Sequence, residues 1–71
     1  PTPAPIVYLT ADIEGVCRPT GPNQHFGCAF WIGGKCVIFV NAKLGAQERA
    51  AVLRHEYGHC NHWPADHPGG R

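Results

Sequence analysis

Cys28-Ala29-Phe30-Trp31-Ile32-Gly33-Gly34-Lys35-Cys36-Val37-Ile38-Phe39-Val40 carries the strongest sheet signal in the chain. Two apolar runs rich in β-branched and aromatic residues flank Gly33-Gly34-Lys35, which reads as a β-hairpin with a two- or three-residue turn. Both runs are apolar on both faces, so one face is expected to lie under a helix. The sequence supplies that helix at once. From Ala46 to about Asn61 the chain is rich in Ala, Leu, Glu, Gln and Arg, all good helix formers. Gly45 serves as N-cap, with Glu48 three residues on as in a capping box without its hydroxyl. Pro64 forbids continuation, so the helix should stop near Asn61 or His62. Ala46, Ala50, Leu53, Tyr57 and Cys60 follow the core-facing spacing, which leaves His55, Glu56 and His59 on a different side.

Working outward, Ile6-Val7-Tyr8-Leu9-Thr10 is a short β-prone run and residues 1–5 form a stiff polyproline leader. Glu14 to Gly27 holds two prolines and several glycines and reads as loop, pinned by Cys17. Residues 64–71 form an irregular tail. The expectation is a single minimal α+β domain over residues 1–71. A small antiparallel sheet (hairpin 28–40 plus the N-terminal strand) packs on one active-site α-helix (46–61).

A chain of 71 residues buries only about 60% of its unfolded surface, so its core needs a staple. Four cysteines without any CxxC pair favour two disulfides over a zinc knot. They point to an oxidising compartment, secreted or periplasmic, and a mature N-terminus left after export would agree. In a two-residue hairpin turn Cys36 faces Trp31 and points away from Cys28, and a three-residue turn leaves the two cysteines too far apart along the ladder. The preferred pairs are therefore Cys36–Cys60 and Cys17–Cys28, with Cys17–Cys36 and Cys28–Cys60 as the alternative. The net charge of +1 comes without any basic stripe, and no apolar run nears the length of a membrane span. Nucleic acid and membrane are thus not expected partners.

His55-Glu56-Tyr57-Gly58-His59 carries the chemistry. Two histidines at i and i+4 stand one turn apart on a helix, within reach of one ion. The glutamate after the first lies beside that ion and can take a proton from its bound water, whose pKa falls to about 7 on zinc. Four of the five histidines fall within residues 55–67. This segment, His55 to about His67, resembles the zincin superfamily of metallopeptidases. The resemblance implies Zn2+ as cofactor, His55 and His59 as ligands, Glu56 as general base, and a peptide or protein as substrate.

A catalytic zinc takes a third protein ligand and keeps one position open. No glutamate follows Glu56, and the histidine position six residues beyond His59 is Ala65. His67 is the favoured third ligand and Asp66 the alternative, with His62 and the upstream His25 behind them. Tyr57 could stabilise an oxyanion, but its phase assigns it to packing, and Trp63 is assigned to covering the turn. Tyr8 and His25 fall in segments the sequence does not place, and either could donate to a transition state. Seventy-one residues leave little for the far wall of a cleft, so a partner or a homodimer is a candidate to complete it. Two rival readings stand beside the metallopeptidase: a non-catalytic zinc-binding structural or interaction domain, and a disulfide-stabilised binding module with incidental histidines.

Overall fold

A computed structural model of the chain describes residues 4–61. The α+β class holds, with a three-stranded sheet, two helices and both preferred disulfides. In chain order the elements are β1 (Ile6–Thr10), α1 (Ile13–Cys17), a 3-10 turn over Arg18–Thr20, β2 (Gly27–Ile32), β3 (Lys35–Asn41) and α2 (Ala46–Cys60). The hairpin turn is the two-residue form. Gly33 and Gly34 both take positive φ, 58° and 81°, which is the primed-turn conformation that matches strand twist and that a side chain would oppose. Trp31 accordingly pairs with Cys36 and Cys28 with Phe39, so the two strand cysteines point to opposite faces.

That alternation splits the core in two. Cys36, Ile38 and Val40 face α2 and cluster with Cys60, Ala29, Leu44, Val52 and Leu53. Cys28, Phe30 and Phe39 face α1 and cluster with Ile13 and Cys17. Each cluster contains one disulfide: Cys36–Cys60 on the α2 side and Cys17–Cys28 on the α1 side. A thin sheet with a small apolar layer on each side gains much of its cohesion from these bonds.

Three expectations need correction. The sheet is mixed rather than antiparallel, in the order β1-β3-β2, because β1 runs parallel to β3 and only the hairpin is antiparallel. The supposed loop from Glu14 opens inside a helix. Asp12 caps α1, its Oδ1 accepting from the Gly15 N–H at 3.3 Å, and Ile13 and Cys17 bury one face four residues apart. Finally, α2 is rotated from the predicted phase. Leu53 and Cys60 meet the sheet as expected, but Tyr57 is 39% exposed, whereas Glu56 is only 6% exposed and Val52 joins the sheet-facing cluster. The alanines at 46 and 50 had suggested the other phase, but Ala buries too little area to set a helix's rotation.

Gly27 sets how closely α2 approaches β2. A Cβ there would stand 2.7 Å from the Phe39 carbonyl oxygen and 2.7 Å from Val52 Cγ1. Gly27→Ala should therefore lift α2 from the sheet and destabilise the fold by about 1–3 kcal/mol, the usual range for overpacking. A urea melt would measure this; an unchanged midpoint would mean that α2 does not rest on this contact.

Candidate functional site

The end of α2 is built as the sequence predicts. The Gly45 N–H donates to Glu48 Oε1 at 3.4 Å, and the Asn61 N–H closes the last turn on the Tyr57 and Gly58 carbonyls at 3.0 Å. Between these ends the i, i+4 spacing brings His55 and His59 together. Their ring centroids lie 4.7 Å apart at an interplanar angle of 79°, and their Nε2 atoms are separated by 3.1 Å. Both rings are half-buried. Glu56, one residue after His55, is the buried charged side chain among the described residues.

His55 and Glu56, but not His59, line a groove of about 540 Å³. One wall is α2, contributing Glu48, Ala51, Val52, His55 and Glu56, and the other is residues 23–27. The second wall was not foreseen, and Asn41 holds it in place. The Asn41 side-chain Nδ2 donates to the His25 carbonyl at 2.8 Å, and its backbone N–H donates to the Phe26 carbonyl at 2.9 Å. The Asn41 Oδ1 in turn accepts from the Lys43 N–H at 2.9 Å, shaping the exit from β3 toward α2. The sequence signal for this role is an Asn at a strand end before a helix, a residue type that bonds readily to nearby backbone.

The remaining candidates divide. His25 lines the groove, and its Nδ1 lies 2.7 Å from Glu14 Oε2. Tyr8 stacks on Phe39 at 5.5 Å on the α1 side of the sheet and does not line the groove. Tyr57 faces outward. The favoured third ligand His67, its alternative Asp66, and His62 and Trp63 all lie outside the described residues.

Compared with protein-family models, with curated proteins and with solved structures, the chain matches none. Among the described residues no group of three or more His, Cys, Asp or Glu side chains is placed to hold a metal ion. The resemblance to zincins is therefore withdrawn. It rested on one short helical motif, which neither a family, a relative nor a shared fold extends to the rest of the chain. His25, the upstream candidate for a third ligand, does not join His55 and His59 in a ligand group.

The local donor chemistry can still be tested against an ion. Two nitrogens bound to zinc at 2.0–2.1 Å and separated by the tetrahedral angle stand about 3.3 Å apart. The observed 3.1 Å between the Nε2 atoms needs only a small opening to reach that spacing. Two imidazoles fit two corners of such a site; the described residues supply no third.

Proposed function

We propose that the chain hydrolyses peptide bonds, with zinc held at His55 and His59 and with Glu56 as general base. The observation that carries the reading is the 3.1 Å Nε2–Nε2 separation beside a buried carboxylate on the wall of an open groove. Zinc bound there would acidify water in its open position and polarise the carbonyl under attack. The residues' own work is then defined. A Glu56 carboxylate oxygen takes the proton as the water oxygen bonds to the carbonyl carbon, and delivers it to the amine nitrogen as the C–N bond breaks. Ala51, Val52 and Phe26 supply the apolar part of the lining against which the peptide would lie. His67 is the proposed third ligand and Asp66 its alternative.

Secretion or periplasmic location belongs to the same proposal. Two disulfides in a small domain agree with an oxidising compartment, and no helix of the described residues is long and apolar enough to cross a membrane. A partner or a second copy that deepens the groove is part of the reading too, since the groove is open and one of its walls is a short loop.

The test is the metal content of purified wild type beside His55→Ala, His59→Ala, Asp66→Ala and His67→Ala. Stoichiometric zinc in wild type is expected, with loss in both α2 histidine variants and in one of the two tail variants. No zinc in wild type, even after reconstitution, would remove the enzyme reading in favour of a disulfide-linked binding module. Zinc without cleavage of any peptide in a library would favour the structural zinc domain.

A further inference from the structure

We propose that two copies of the chain pair through the outer edge of β1, antiparallel about a two-fold axis at Tyr8, and join their sheets into one. Among the described residues β1 is an edge strand, bonded to β3 on one side and to no strand on the other. One bond fixes which of its backbone groups face outward. The Ala42 N–H donates to the Thr10 carbonyl at 2.9 Å, so Thr10 faces β3. Every second residue of a strand turns its N–H and C=O to the same neighbour. Ile6 and Tyr8 therefore also face β3, while Val7 and Leu9 present theirs at the free edge.

The strand is bare on both faces as well. Val7 and Leu9 are in register with Ile38 and Val40 on the side of α2, but the helix packs over β3 and β2. Ile6 and Tyr8 lie on the side of α1, and all four residues are between 37% and 54% exposed. Edge strands are ordinarily guarded by a lysine, an internal proline, a bulge or a covering element. Ile6–Thr10 carries no charge and no proline, and its register with β3 runs unbroken over all five residues.

A second copy fits this edge in one register. Val7 pairs with Leu9 of the second copy and Leu9 with its Val7, so four bonds satisfy every outward N–H and C=O of both strands. A slip of two residues in one direction sets Leu9 against Pro5, which has no N–H. The opposite slip sets Val7 against Ala11, beyond the end of the strand. In the matched register Tyr8 stands opposite Tyr8 of the second copy in a non-hydrogen-bonded pair, the closer kind, where an aromatic pair adds to the contact. Charge agrees with a self-match. The strand has none to repel its copy, and Asp12, the first charged residue after it, faces Ala4 of the second copy rather than its own counterpart. The two-fold uses both edges at once, so assembly closes at two. Four half-exposed side chains and a short ladder make a small interface, and the expected dissociation constant is on the order of 10–100 μM. No residue of β1 lines the groove, so this contact is independent of the hydrolytic reading.

The experiment is sedimentation equilibrium of the whole chain in chelator, which removes metal bridging, over about 5–500 μM to bracket that constant. Wild type is compared with Leu9→Lys and with a synthetic chain methylated at the Leu9 backbone nitrogen. Wild type should dimerise reversibly. Both altered chains should keep the wild-type melting temperature, since Leu9 is exposed and its N–H faces away from β3, and weaken dimerisation at least about tenfold. If the lysine variant fails to fold, the methylated chain decides. Mild oxidation of Tyr8→Cys should link two copies rapidly, whereas Ile6→Cys, set opposite Thr10 of the second copy, should link slowly.

A wild type that stays monomeric throughout overturns the proposal. So does a dimer that survives both changes at Leu9, which would place the contact elsewhere, and so does association that continues past two copies, as β1 pairing with β2 of the next copy would give. Equal cross-linking through positions 6 and 8 overturns the two-fold at Tyr8.

Discussion

Glu56→Gln should retain zinc and lose peptide hydrolysis by roughly 10²–10⁴-fold, the range expected when a general base is removed. The substitution keeps the shape of the side chain and its capacity to accept and donate hydrogen bonds, but an amide cannot take up a proton at neutral pH. The ligand pair is untouched, since His55 and His59 are brought to 3.1 Å by the helix repeat rather than by Glu56. Burial sharpens the expectation. At 6% exposure the carboxylate is costlier to bury than a neutral amide of the same shape, which offsets any contact the amide makes less well and should keep the melting temperature close to that of wild type. Unchanged stability and zinc with lost turnover separates a chemical role from a structural one. Retained turnover, with contaminating protease excluded, would sink the proposed mechanism. Loss of zinc together with turnover would instead give Glu56 a part in holding the ligand geometry.

What the sequence made readable was local. The hairpin was legible because two glycines between apolar runs leave few alternatives, and the positive φ values at Gly33 and Gly34 are what that pair permits. From the two-residue turn, strand alternation sent Cys28 and Cys36 to opposite faces, and the disulfides then followed. The His55–His59 pair was legible for the same reason, since a helix repeat determines it without reference to the rest of the fold. The parallel direction of β1 was not legible. Five β-prone residues carry no sign of which neighbour they join, and the choice depends on how α1 packs under the sheet. The helix α1 itself left a signal that the glycines and prolines after it obscured: Asp12 as cap, then Ile13 and Cys17 one turn apart. The loop wall of the groove was the hardest part. It depends on Asn41 reaching His25 and Phe26 from 15 or so residues later in the chain, and no local pattern encodes a contact of that separation.

Replacing both Cys36 and Cys60 by Ala should cost more stability than the same replacement at Cys17 and Cys28. The bonds close separations of 24 and 11 residues, for which the chain-entropy relation gives about 3.5 and 2.8 kcal/mol. A domain of this size holds only some 4–10 kcal/mol in total, so the first loss should lower the melting temperature by roughly 15–25 °C. Position adds to loop length. Cys36 and Cys60 belong to the same buried cluster as Ile38 and Val40, and Cys60 is the residue after His59. The bond therefore sets the rotation of the last turn of α2, and with it the direction of the His59 imidazole and the burial of Glu56. The Cys36/Cys60 variant should accordingly lose zinc affinity out of proportion to its loss of stability. The Cys17/Cys28 variant, altered on the opposite face of the sheet, should melt lower than wild type yet hold zinc nearly as well. Melting and zinc titration of the two variants under identical conditions check this. Equal zinc affinities, or a larger stability loss at Cys17 and Cys28, would show that α2 keeps its rotation by packing of Val52 and Leu53 alone.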